Sequence, residues 1–105
     1  MRQVMVRYTV RPECADENAR LIREVFATLE REAPAGLSYA SYRLDDGVSF
    51  MHIATMHDEH HNPLQALPEF RAFTAGIRER CTVPPATTVL NEIGNYMHLS
   101  ASPLP

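Results

Sequence analysis

LSYASYRLDDGVSFMHIATM, residues 37–56, is the stretch that decides the fold. Two β-rich runs, 37–44 and 48–56, flank Asp45-Asp46-Gly47, and Asp46-Gly47 is the preferred pair for a two-residue type I′ hairpin turn. A turn there sets the register: Leu44 faces Ser49, Arg43 faces Phe50, Ser41 faces His52 and Tyr39 faces Ala54. One face of the hairpin then holds Ala40, Tyr42, Leu44, Met51, Ile53 and Thr55. The other mixes Leu37, Phe50, Ala54 and Met56 with Tyr39, Ser41, Arg43 and His52. Apolar residues on both faces require cover on both, helices over one and a second subunit's sheet over the other. A homodimer joined through the helix-free sheet faces is expected, because a lone two-layer monomer would leave a large apolar patch in water. The alternation does not decide which face meets the helices.

On the N-terminal side, residues 3–10 place Val4, Val6, Tyr8 and Val10 on one face and Met5, Arg7 and Thr9 on the other, the pattern of a strand. Arg11-Pro12-Glu13 closes it. From about Ala15 to Ala33, Ile22, Val25, Phe26, Leu29 and Ala33 recur at helical spacing, and the pairs Asp16–Arg20 and Arg20–Glu24 lie on the wet side. Pro34 and Gly36 end this helix. On the C-terminal side, Asn62-Pro63-Leu64-Gln65 reads as a capped helix start that Pro68 interrupts. A short turn and then a main helix from about Pro68 to Cys81 follow, with Phe70, Phe73, Ile77 and Cys81 as the apolar stripe and Thr74 completing the face. Pro84-Pro85 stops that helix, and Thr87 to His98 returns as the last strand.

The order strand, helix, strand, strand, helix, strand is the ferredoxin-like α+β arrangement, an antiparallel sheet with two helices on one face. Residues 1–98 form one domain and 99–105 a flexible tail. Phe26, Leu29, Phe70, Phe73 and Ile77 are the expected helix contributions to the core.

Composition narrows the chemistry. The 105 residues are 45% hydrophobic and 22% charged, as expected of one globular domain. The ten basic residues are all Arg, which excludes a Schiff-base lysine, a pyridoxal-phosphate anchor and a P-loop lysine within this chain. The four glycines (36, 47, 76 and 94) stand too far apart for a dinucleotide-binding loop. A net charge of -3 with acids and arginines interspersed offers no basic stripe, so neither nucleic acid nor an anionic membrane is an expected partner. The opening residues are broken by charge before any signal-peptide core forms, and no 18-residue apolar run exists. A cytoplasmic protein is expected. Cys14 and Cys81 lack C-x-x-C spacing and read as two reduced thiols that pack.

Val6-Arg7-Tyr8-Thr9-Val10-Arg11-Pro12, the Gly36 that begins the second strand, the run Phe50 to Met56 followed by Asp58, and Leu67-Pro68-Glu69-Phe70-Arg71-Ala72-Phe73 together resemble the antibiotic-biosynthesis-monooxygenase-like family. The resemblance spans about residues 3–98. The stretch from Asn62 to Pro85 is similar to an uncharacterised branch of that family. The resemblance implies a dimeric α+β barrel and a family that includes oxygenases acting on aromatic polyketides or quinols without a cofactor, and haem-degrading enzymes. Haem-degrading members pair an Asn on the first strand with a Trp near the end of the third and a His on the second helix. Those places correspond here to Arg7 or Tyr8, to Met56, and to a helix without His between Phe70 and Cys81, which speaks against haem. The Trp of quinol-type members is likewise replaced by Met56, so no catalytic residue transfers one for one.

Read on their own, the residues point to the polar side of the hairpin, where His52 stands opposite Ser41 with Tyr39 and Arg43 on the same face. A neutral His can deprotonate a phenol, and the phenolate is electron-rich enough to react with O₂ without any cofactor. The apolar surround of Phe50, Ala54 and Met56 should lower the imidazole pKa and keep it neutral at pH 7. His52, Tyr39 and Ser41 are the candidate catalytic residues, and Arg43, Phe50, Met56 and Phe73 the candidate substrate-binding residues, for a small aromatic or quinol-like ligand and with no cofactor. The alternative is a ligand-binding or structural homodimer in which His52 makes an ordinary hydrogen bond and Tyr8 packs in the sheet. A third reading takes His57-Asp58-Glu59-His60-His61 as a metal site, although the spacing fits no fixed ligand motif and a polar loop would look the same. Cys14 lies at a helix N-terminus with nothing beside it to suggest a nucleophile.

Overall fold

The computed structural model describes residues 1–97 and 99. Its elements are β1 (Arg2–Val10), α1 (Ala15–Glu32), β2 (Leu37–Arg43), β3 (Ser49–Met56), α2 (Pro68–Ala75), α3 (Ile77–Arg80) and β4 (Cys81–Leu90), with short helical turns at Pro12–Cys14 and Pro63–Ala66. The four strands form one antiparallel sheet in the order β2-β3-β1-β4, the ferredoxin-like α+β topology expected from the element order.

The hairpin register is as read, with Arg43 opposite Phe50, Ser41 opposite His52 and Tyr39 opposite Ala54. The turn itself is different. Leu44 accepts from the Gly47 N–H and donates to Ser49, so four residues bridge the strands. Gly47 has φ +79 while Asp46 is not in the positive-φ region, whereas a type I′ turn needs both. Asp46 instead turns its carboxylate inward, accepting from the Val48 and Ser49 backbone N–H groups and from the Ser49 hydroxyl. This Asx-type bonding gives the Val48 and Ser49 N–H groups an acceptor within the wider loop.

The helices cover the face that carries Tyr8, Val10, Phe50, His52, Ala54 and Met56, all buried. On α1 the buried residues are Ala15, Asn18, Ala19, Val25 and Thr28, with Ile22 and Leu29 partly buried against them. Phe26 lies at the margin, half-buried and stacked on Tyr39. Thr28 donates to Glu69 and so ties α1 to α2. The last helical residue of α1 is Glu32, and Ala33 is its C-cap, in the left-handed region at φ 46. Phe73 and Ile77 are core residues, and Phe70 packs against them half-buried.

Two expected boundaries move in the C-terminal third. Asn62 caps the 63–66 turn by accepting from Leu64, as its position suggests, but the main helix breaks at Gly76 and Cys81 is already in β4. Pro84-Pro85, expected to stop a helix, lie inside β4. That strand is the sheet edge, where a missing N–H is tolerated, and its pairing with β1 shifts register between Arg7 and Thr9, opposite the prolines. β4 ends at Leu90, and residues 91–97 are in neither helix nor strand. His98 and residues 100–105, the end of the expected last strand and most of the expected tail, lie outside the described residues.

Candidate functional site

A cavity of about 460 Å³ lies between the helix face of the sheet, α2 and the 63–66 turn. Tyr8, Tyr39, His52, Met56, Phe70 and Phe73 are among the residues that line it. Rings from three strands and α1 stand in a near-parallel row beside it. Phe26 stacks on Tyr39 at 5.2 Å, Tyr39 on His52 at 5.8 Å, His52 on Tyr8 at 5.4 Å and Tyr8 on Phe50 at 5.7 Å. Phe73 meets His52 edge-on at 5.6 Å. The row follows from the pairing, since Tyr8 and Phe50 are direct cross-strand partners and His52 lies on the same face.

His52 is 4% exposed, and both ring nitrogens have partners. Nε2 lies 2.8 Å from the Tyr8 hydroxyl, and Nδ1 lies 2.6 Å from Ser41 Oγ and 3.2 Å from the Tyr39 hydroxyl. Behind Tyr8 the chain of bonds continues: Asn18 Nδ2 donates to the Tyr8 hydroxyl at 2.9 Å, and Arg80 Nε donates to Asn18 Oδ1 at 3.1 Å. Among the described residues, no buried side-chain nitrogen or oxygen lacks a partner. Burial drives the His52 pKa down to about 4, because the low-dielectric surround penalises the imidazolium. The same desolvation pushes the Tyr39 phenol up to about 12 and raises that of Tyr8 further.

His52, Tyr39 and Ser41 are thus brought together, and Met56 and Phe73 line the same cavity. Arg43 and Phe50 do not line it. They belong to a neighbouring hollow over β2, which shares Tyr39 with the cavity and includes Ser41 and Phe26. There Arg43 is committed: it lies over the Phe50 ring at 5.7 Å, pairs with Asp16 at 3.2 Å and donates to the Gly47 carbonyl. The loop from His57 to His61 turns on itself, with Asp58 accepting from the His60 and His61 backbones. Among the described residues, no three His, Cys, Asp or Glu side chains converge as a metal site. Cys14 and Cys81 are free thiols, each half-buried.

Tyr8, Asn18 and Arg80 are the residues of this site that sequence reasoning missed or gave to packing. Asn18 carried a signal: it lies four residues before Ile22 and seven before Val25, on the apolar stripe of α1, and is 0% exposed. A polar residue inside such a stripe needs a buried partner. Gly76 places Arg80. A Cβ there would lie 2.9 Å from Arg80 Nη1, so a side chain at 76 would displace the guanidinium from where it folds back over the Phe73 ring at 5.4 Å and donates to the Phe73 carbonyl.

No protein-family model and no curated protein matches the chain. Solved structures do share its fold. Rv0793 from Mycobacterium tuberculosis is 22% identical with a TM-score of 0.70, over 91% of this chain and 98% of that one. A crystal structure of an antibiotic biosynthesis monooxygenase is 19% identical at TM-score 0.72, over 90% of this chain and all of that one. A variant of SnoaB, a cofactor-independent oxygenase from Streptomyces nogalater, is 18% identical at TM-score 0.66, over 90% and 94%. At these identities the likeness is one of fold, and the fold of the single chain is the one that the sequence resemblance implied, shared with antibiotic-biosynthesis-monooxygenase-like structures.

Proposed function

We propose that this chain is a small-molecule oxygenase of the cofactor-independent type, acting on an aromatic or quinol-like substrate bound between the sheet and α2. The observation that carries the reading is a buried, hydroxyl-partnered His52 at the wall of a cavity of about 460 Å³ whose other walls are mainly apolar and aromatic. The substrate loses a proton to His52 and its anion passes one electron to O₂. The resulting radical and superoxide combine, and the peroxide so formed takes the proton back from His52 to become a hydroperoxide. Loss of water from that hydroperoxide leaves a carbonyl, so that a CH₂ group and O₂ become C=O and H₂O. Both the proton and the electrons come from the substrate, and the protein's part is to accept the proton and exclude water.

A pKa of about 4 keeps the ring unprotonated at neutral pH, and the charge developing on the substrate favours the imidazolium at the moment of transfer. Tyr39 and Ser41 hold the ring through Nδ1, and Met56 and Phe73 hold the substrate's apolar body. Arg43 and Phe50 would meet only a substrate that extends past Tyr39 into the neighbouring hollow. The shared fold with SnoaB supports the reading by analogy.

Oxygen uptake with an anthrone probe, which carries the CH₂ group that the step consumes, tests it. The parent is expected to consume O₂ and His52→Ala to lose that uptake while its circular dichroism stays folded. Probe binding without uptake by the parent would put a ligand-binding protein in its place, which the complete pairing of both His52 nitrogens also suits.

The protein acts, in this reading, as a homodimer. The sheet face away from the helices leaves Met5, Met51 and Ile53 half-exposed and Tyr42 49% exposed, an apolar surface of the kind a second sheet covers. Light scattering at micromolar concentration should return twice the chain mass; the mass of one chain would remove the claim. Among the described residues no helix is long and apolar enough to cross a membrane.

A further inference from the structure

We infer that Arg80 and Asn18 are positioning residues that decide, through the Tyr8 hydroxyl, which nitrogen of His52 carries its proton. A guanidinium can only donate, so the oxygen of the Asn18 amide must face Arg80 Nε, 3.1 Å away. The amide nitrogen is thereby turned to Tyr8 at 2.9 Å. It too can only donate, so the Tyr8 oxygen accepts from Asn18. The single phenolic proton of Tyr8 is then left for its other neighbour, His52 Nε2 at 2.8 Å. Nε2 must hold a lone pair. The proton of the neutral ring is on Nδ1, where it donates to Ser41 Oγ at 2.6 Å.

The direction of every bond follows from one cation, and that cation is itself held from a second side by the Phe73 carbonyl. Asn18 cannot flip without setting its NH₂ against the guanidinium, and at 0% exposure it has no water to turn to. Neither Arg80 nor Asn18 lines the cavity, so both act through Tyr8.

The consequence for chemistry rests on the reading of His52 as proton acceptor. Tyr8, a cavity-lining residue, occupies Nε2, so the substrate's proton arrives in two linked transfers. The substrate O–H or C–H bond breaks as its proton bonds to the Tyr8 oxygen, and the phenolic proton of Tyr8 moves to Nε2. Tyr8 ends neutral, the substrate anionic and His52 cationic. Burial raises the Tyr8 pKa, which disfavours a lasting tyrosinate and keeps the two transfers coupled.

Asn18→Asp separates this from a merely structural role. The carboxylate keeps the size of the amide and its bond to Arg80, but can only accept. The Tyr8 proton then turns to the new carboxylate, Nε2 must donate to Tyr8, and the Ser41 hydroxyl donates to Nδ1. Nitrogen-15 NMR of His52 in the ligand-free protein at about pH 8, where Arg80 keeps the new carboxylate ionised, reads the result. The parent should show the Nδ1–H ring and N18D the Nε2–H ring. Should N18D not fold, Tyr8→Phe removes the same donor and should give a mixture of the two. An Nε2–H ring in the parent, or an Nδ1–H ring unchanged in the variant that folds, overturns the inference. The readout needs no substrate, so a parent with the Nδ1–H ring and no oxygen uptake would sink the oxygenase reading alone. Where uptake is present, N18D should lower kcat by about 100-fold with little change in KM.

Discussion

Phe73→Ala should destabilise the protein by about 3–5 kcal/mol, the range for removing a buried phenylalanine, out of a total of about 5–15 kcal/mol for a domain of this kind. Phe73 is 3% exposed and in contact on three sides: edge-on to His52, tilted against Phe70 at 6.3 Å, and under the Arg80 guanidinium. The carbonyl that Arg80 uses is backbone and survives the substitution, so the loss is one of packing and stacking. The void would open directly onto the existing cavity and could not collapse, since the sheet floor is held by β1 and β3. Urea denaturation checks it, and an unchanged midpoint would mean that α2 does not present this face to the sheet. The same variant should let water reach His52 and move its pKa back toward 6.5.

Acidification should remove about 3 kcal/mol of stability between about pH 6.5 and 4 through His52 alone. The imidazole titrates near 6.5 in the unfolded chain and at about 4 in the folded one, because burial penalises its charged form. Between those values the unfolded state binds a proton that the native state refuses, so stability rises with pH across the window. The contribution is complete above about 6.5 and is lost as pH falls toward 4. Asp46 acts in a separate and lower window: bonds from the Ser49 hydroxyl, then from the Ser49 and Val48 backbone, hold its pKa below 3.8, so its share is lost only on further acidification. Denaturant midpoints measured from about pH 7.5 down to about 4.5 should slope steeply in the parent and much less in His52→Gln. Equal slopes would mean that His52 is hydrated in solution.

The Asp46-Gly47 pair was enough to set the hairpin register, because Leu44 and Ser49 stay opposite each other about that centre whether two or four residues bridge the strands. It could not set the turn, since Asp46 is used for its carboxylate, and a propensity for Asp-Gly pairs says nothing about which donors need an acceptor. Nor could it say that the His52 face meets the helices. That depends on β1, whose Tyr8 and Val10 are buried on the same side. The C-terminal third was harder for a related reason. Pro84-Pro85 breaks a helix and is also acceptable in an edge strand, and a strand is known to be an edge only after the topology is. At the site, His52, Ser41 and Tyr39 were legible because they lie within one hairpin. Asn18 and Arg80 were not, because they are 62 residues apart in sequence and meet only through the fold.

The prolines of β4 have one more effect. Pro84 and Pro85 both lack an N–H, and both lie where the pairing with β1 shifts register. The edge strand therefore lacks two successive donors near the middle of its run. A foreign strand approaching this edge finds the hydrogen-bond ladder interrupted, which makes the margin beside the exposed Val83 and Val89 a poorer template for pairing with another chain.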